Sequence, residues 1–222
     1  LIYALLEIFL IVIGILLAVY LNNVNEKRSK SENYRSLLKE VRYNFEEDIS
    51  EIDEILGEYN SRKPMFRAVI ADSLTRDEFD QNPSYTSLIT YYNPISIEKK
   101  GYRLLADFND ASNESARYRL VSELTNFYSS SISDIEEKRN RVGDDMDRNL
   151  EHWKDKNTYL AESHLDGGLS ETTVDYFLND PGYRNRVAYH YILVFDNYLF
   201  SLKSFSDDSK IFIKKIDSVL DD

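Results

Sequence analysis

The run Leu1–Leu21, LIYALLEIFLIVIGILLAVYL, carries one charge, Glu7, and limits the fold more than any other feature. A helix rises about 1.5 Å per residue, so roughly 20 apolar residues cross the hydrocarbon core of a bilayer. The rival reading is a cleaved signal sequence. That needs a basic leader, a shorter apolar stretch and a small-x-small cleavage site. The residues that follow, Asn22–Asn23–Val24–Asn25–Glu26, offer no such site. The run therefore reads as a single transmembrane helix over residues 1–21, with membrane lipid as its first partner. The sequence begins at Leu, so an upstream flank is expected, and its charge would set orientation.

Glu7 is costly in lipid, by about 2.5–3.5 kcal/mol at mid-membrane on insertion scales. It reads either as a partner-pairing or proton-carrying carboxylate, or as a residue near one headgroup layer or protonated against a neighbouring helix. With six residues before it, the second placement is simpler. Gly14 and Ala18 form a small-xxx-small step, which lets two transmembrane helices approach closely and points to a homo-oligomer.

Beyond the anchor, Leu38, Val41, Phe45, Ile49, Ile52, Ile55 and Tyr59 keep three-and-four spacing with acids between them. Nothing before Tyr59 breaks a helix except the tolerable Gly57, so residues 22–63 are expected to continue the anchor as a stalk helix. Pro64 predicts its end or a kink, with Met65–Leu74 a short separate helix. Gln81–Ser96 holds two prolines and the Tyr91–Tyr92 pair and reads as a connecting loop. Ile97–Phe108 predicts a short helix. A second long helix is expected from about Ser112, its stripe running Leu120, Leu124, Phe127, Ile132, Ile135, Val142, Met146, Leu150 and Trp153. Asp166–Gly167–Gly168 marks a turn, and Ser170 caps a helix over Glu171–Leu178. Pro181 opens the last helix, where Tyr191, Tyr198, Phe205, Phe212 and Val219 recur every seven residues.

Only seven glycines and four prolines occur in 222 residues, which disfavours turn-rich β folds. The fold class predicted is all-α: a transmembrane helix continuing into a stalk, with residues 64–222 completing an antiparallel helical bundle. The aromatic repeat reads as bundle core or as a seam between subunits, and coiled-coil seams favour aliphatic residues. Tyr91, Tyr92, Tyr191, Tyr198, Phe205 and Phe212 are the candidate partner surface, set against the plainer reading that they close or fill the bundle.

The net charge of −12 repels phosphate backbones, so nucleic acid is not an expected partner. There is no cysteine, which excludes disulfides and thiolate metal sites. No catalytic, cofactor or metal motif emerges. His152, His164 and His190 lack helical metal spacing, and HExxH is absent. His164 with Glu162 and Asp166 reads as a solvated loop cluster. Asp144, Asp145 and Asp147 lack the calcium-loop pattern, and Glu46–Glu47–Asp48 reads as the solvated face of the stalk.

The segment EIFLIVIGILLAVYLNNVNEKR resembles the opening signature of an uncharacterised family from Bacteroidetes-type bacteria, domain of unknown function 6090. That signature runs close to GEI-apolar-VIGILIALQINNWNE. Glu7, Ile8, Val12, Ile13, Gly14, Ile15, Leu16, Ala18, Asn22, Asn23, Asn25 and Glu26 match it. Leu6, Tyr20 and Val24 stand where the family has Gly, Gln and Trp. Ser96–Ile97–Glu98 with Gly101, and the Tyr-rich last helix, also resemble it. The resemblance implies a basic leader before the span. By the positive-inside rule this implies a single-pass protein of the bacterial inner membrane with its soluble domain in the periplasm. Lys27, Arg28 and Lys30, just after the span, argue for the opposite orientation. The family supplies no established activity. Two functions follow as expectations: a self-associating membrane-anchored interaction or scaffold protein, not an enzyme, or an extracytoplasmic ligand-sensing module acting through a separate membrane partner.

Overall fold

The computed structural model describes residues 2–108, 116–165 and 168–221. Among these every regular element is helical: α1 (Ile2–Ile70), α2 (Arg76–Gln81), a 3-10 turn (Pro83–Ser87), α3 (Lys100–Asp107), α4 (Ala116–Lys156), α5 (Tyr159–Glu162), α6 (Glu171–Asn179), α7 (Pro181–Tyr191), a π-helical segment (Ile192–Tyr198) and α8 (Leu199–Asp221). The expected turn at Asp166–Gly167 and the expected start of α4 near Ser112 lie outside the described residues.

The apolar run and the stalk are one helix. Its 69 residues would reach roughly 100 Å end to end. One helix among the described residues is long and apolar enough to cross a membrane, and none of that apolar stretch is buried. From Tyr34 onward the same helix joins the core.

α1 does not stop at Pro64. It runs on to Ile70, so Met65–Leu74 is not a separate helix. Proline costs a helix interior about 3 kcal/mol. Here Phe66 and Val69 are buried just beyond it, and Phe66 packs 5.4 Å from the ring of Phe195. Tertiary packing holds the last turn in place. α1 then ends on Asp72, whose φ of 58° is left-handed. The Ser73 N–H donates to Ala68 O at 3.0 Å across this turn, closing the helix end.

The last helix runs against α1. Arg42 pairs with Asp217 at 2.7 Å, the Phe45 ring lies 6.1 Å from Phe205, and Phe66 meets Phe195. Numbers that rise along α1 fall along α8 and α7. α4 instead advances with α1: Arg117 stacks over Tyr34, and Tyr128 stacks on Phe45 with centroids 4.8 Å apart. α4 is antiparallel to the last helix, from Lys138–Ser201 at 2.6 Å to Asp145–His190 at 2.9 Å. Arg117 and Tyr128 on α4 thus follow Tyr34 and Phe45 on α1 in the same order.

Local chemistry fixes the short elements. Thr75 and Glu78 form a reciprocal capping box on α2. Ser170 caps α6 by accepting from the Thr173 N–H, and Asp180 does the same for Tyr183 on α7. Pro181 occupies the first turn of α7, where its missing N–H costs nothing.

Candidate functional site

Two pairs of polar side chains occupy core positions of α1 and α4. Asn44 and Asp48 lie one turn apart on α1, and Asp145 and Asn149 one turn apart on α4; all are buried. This corrects one expectation: Asp48 is not on a solvated face. The α4 stripe passes through Val142, Asp145, Asn149 and Trp153, while Met146 and Leu150 are half-buried.

The first pair holds a strap. Residues 91–99 have no regular structure, so their N–H groups need outside acceptors. Core side chains provide them. Asn93 N–H donates to Tyr59 Oη, Ile95 N–H to Tyr198 Oη and Glu98 N–H to Asp48 Oδ1, each at 3.0 Å. Gly101 N–H donates to Asn44 Oδ1 at 2.7 Å. Arg139 Nη1 donates to Ile95 O at 3.2 Å, and Lys99 pairs with Glu136 at 2.6 Å. Ile95 and Ile97 insert into the core between these bonds. The strap thereby ties α1, α4 and the π-helical segment together.

Asp48 Oδ2 and Tyr128 Oη are both buried without a hydrogen-bond partner. Burial pushes the Asp48 carboxyl up to about 7. The Glu98 N–H opposes that shift, and the charges of Glu51, Glu98 and Glu47 add to it. Burial raises the Tyr128 phenol, with Asp48 and Glu98 adding to the effect.

The second pair meets His190, which is fully buried. His190 Nδ1 lies 2.9 Å from Asp145 Oδ2, and its ring stacks on Phe66. An ionised carboxylate only accepts, so the Nδ1–H form makes this bond. His190 Nε2 is buried and unpartnered. Asn149 Nδ2 donates to Asp145 Oδ2 at 3.1 Å and to Ile89 O at 3.2 Å, while Asn149 Oδ1 accepts from Arg186 Nη1 at 3.1 Å. This network sits two residues before the π-helical segment. An open cleft of about 430 Å³ lies over it, lined by Asp145, Arg148, Asn149, Gly182, Asn185, Arg186 and Tyr189. Local π geometry is uncommon and recurs at functional sites.

The aromatic candidates separate. Tyr198 and Phe205 are buried in the core and present no partner surface. Their large rings fill the space against Phe45, Tyr128 and the strap. Tyr91, Tyr92, Tyr191 and Phe212 are half-buried. Arg62 lies over the Tyr91 ring at 3.7 Å, and Tyr92 Oη donates to Arg139 O at 3.3 Å, so this pair closes the gap between α1 and α4. Glu7, Gly14 and Ala18 are exposed on α1, and a Cβ on Gly14 would meet nothing within 4 Å. They are not brought near the strap or the cleft.

Among the described residues no group of three His, Cys, Asp or Glu side chains is placed to hold a metal ion. Glu162 serves instead as an acceptor for Thr158 Oγ1 and for the N–H and Oγ of Ser170. The hydrogen bond from Thr158, then that from the Ser170 backbone, lowers its carboxyl to about 2.

Sequence reasoning missed the polar core pairs. The signal was present in Asn44/Asp48 and Asp145/Asn149, each four residues apart and in phase with apolar neighbours. No family model matches the chain, and no match was found among curated proteins or solved structures.

Proposed function

We propose that this chain is a membrane-anchored helical scaffold that associates with copies of itself. The observation that carries the reading is the continuity of α1. One helix carries an exposed apolar stretch and, without a break, a long buried stripe of the core from Tyr34 to Val69. Exposed side chains such as Leu16 and Leu17, at 62% and 56%, need lipid or another apolar surface to cover them. On this reading the anchor crosses the bacterial inner membrane once and the helices form a bundle on the periplasmic side, as the resemblance to domain of unknown function 6090 implies. The bundle is rigidly coupled to the span because no linker separates them. The scaffold has no catalytic role.

The test is in native membranes. The protein should resist extraction by alkaline carbonate, and amine crosslinking should trap multiples of its own mass. Release by carbonate would remove the anchor, and a monomer after crosslinking would remove self-association.

A second reading, a ligand-sensing module acting through a separate membrane partner, draws on the concave cleft beside the π-helical segment.

A further inference from the structure

The cleft above Asp145 and Asn149 is lined by two arginines and one acid. The chain is strongly acidic, at −12, yet two guanidinium groups, Arg148 and Arg186, line this concavity. Several arginines elsewhere sit close on carboxylates: Arg28 on Glu32 at 2.9 Å, Arg42 on Asp217 at 2.7 Å, Arg76 on Glu171 at 2.7 Å. The cleft arginines do not. Arg186 is held by a neutral acceptor, Asn149 Oδ1, at 3.1 Å. Arg148 reaches Asp145 Oδ1 at 3.5 Å, with its side chain 58% exposed.

Asp145 is the one acid lining the cleft, and its other oxygen is engaged. Oδ2 lies 2.9 Å from His190 Nδ1 and 3.1 Å from Asn149 Nδ2. Asp180, at the start of α7, is committed to the Tyr183 N–H at 2.7 Å. A guanidinium has five N–H donors in a planar fork, so both arginines keep donors to spare. The floor is built: Asn149 and Asp145 are 2% and 5% exposed and fix the position of Arg186 and Arg148. Asn185 and Tyr189 add neutral polar groups at the rim.

We infer that this cleft binds a small dianion, a dicarboxylate or a phosphate ester, between Arg148 and Arg186. Paired guanidinium forks match the planar or tetrahedral oxygens of such groups and bind them by charge-assisted hydrogen bonds. An isolated monoanion would engage one fork; a dianion satisfies both. Binding at the cleft does not depend on the scaffold reading. The consequence for the π-helical segment rests on the sensing reading. A ligand that draws Arg148 off Asp145 alters the partner set of the carboxylate that holds His190, and Ile192–Tyr198 begins two residues later.

The experiment is calorimetric titration of the full chain in mild detergent with inorganic phosphate and with succinate. Ionic strength is held constant with sodium chloride. Wild type should give saturable binding of at least one probe. Arg148→Gln and Arg186→Gln should each weaken it by about tenfold or more, the value of one charge-assisted pair. No saturable heat with either probe overturns the inference, as does undiminished affinity in Arg148→Gln. Arg186→Gln also removes a hydrogen bond to buried Asn149, so its effect couples binding to folding. Arg148 is exposed, and its variant, checked for unchanged helicity, keeps the test decisive. Hydrogen exchange at Ile192–Tyr198 separates the two claims. Probe-dependent exchange supports site and sensing together; binding without it keeps the site and counts against sensing.

Discussion

The Gly101 N–H donates to Asn44 Oδ1 at 2.7 Å, and a Cβ on residue 101 would stand 2.7 Å from that oxygen and 3.3 Å from Val41 Cα. α3 therefore lies against α1 at a distance only glycine allows. Gly101→Ala should destabilise the protein by about 1–3 kcal/mol, since overpacking and the disturbed hydrogen bond outweigh the gain in helix propensity. Gly57, in the same long helix as Asn44, has nothing within 4 Å of its would-be Cβ. Gly57→Ala should stabilise by up to about 1 kcal/mol. Urea denaturation followed by circular dichroism measures both; equal effects would contradict the close approach at Gly101.

Asp48 makes stability depend on pH. Its carboxyl titrates near 3.8 when unfolded and about 7 when folded. Between these values the folded state holds a proton that the unfolded state has lost, so stability falls as pH rises from about 4 to 7 and levels off above. The slope from this group is at most about 1.4 kcal/mol per pH unit. Asp48→Asn keeps an acceptor for the Glu98 N–H but cannot ionise. Its stability relative to wild type should improve between acidic and mildly alkaline buffer. Parallel pH profiles for the two proteins would show that Asp48 titrates normally.

Tyr198 holds the strap through one atom. Its Oη accepts the Ile95 N–H at 3.0 Å, and both groups are buried. Tyr198→Phe keeps the ring packing and orphans that N–H, so a loss of about 1–3 kcal/mol is expected. Amide exchange at Ile95 should rise more than at Leu38, which lies deep in α1. Unchanged protection at Ile95 would mean the strap is held by its other bonds alone.

The absence of cysteine makes thiol mapping clean. Ser204 is exposed on α8, and Ser206, two residues on, is buried. On the periplasmic reading Ser204→Cys should react with a membrane-impermeant maleimide in intact spheroplasts. Ser206→Cys should react only after denaturation. Labelling of Ser204→Cys only after lysis would reverse the orientation.

The helical class and the continuity of the apolar run with the stalk were legible, because nothing before Tyr59 breaks a helix and that needs no tertiary information. Polar core positions were not. A stripe drawn through Met146 and Leu150 looks as regular as the true one through Asp145 and Asn149, and only the packed partners, His190 and Ile89 O, reveal which face is inside. The seven-residue aromatic repeat held from Tyr198 through Phe205 and failed at Tyr191. The wider π turn between them shifts the phase, so the buried position is His190. The run past Pro64 was hidden for a similar reason: Phe66 packs on His190, Tyr191 and Phe195, more than a hundred positions away. The strap was readable as irregular chain only as far as Ser96, with Ile97–Lys99 expected in a helix that begins instead at Lys100, and the acceptors Tyr59, Tyr198, Asp48 and Asn44 come from two distant elements.

The central claim is a self-associating anchor, and protein mass in mild detergent tests it most directly. Gly14 and Ala18 lie one turn apart on the exposed anchor, where a small-xxx-small face lets helices approach closely. Light scattering corrected for bound detergent should give a multiple of the 26.0 kDa chain for wild type. Gly14→Leu, whose side chain fills the groove, should shift that mass toward the monomer at the same concentration. A strictly monomeric wild type would contradict the account; an oligomer indifferent to Gly14→Leu would contradict the role of the anchor in holding it together.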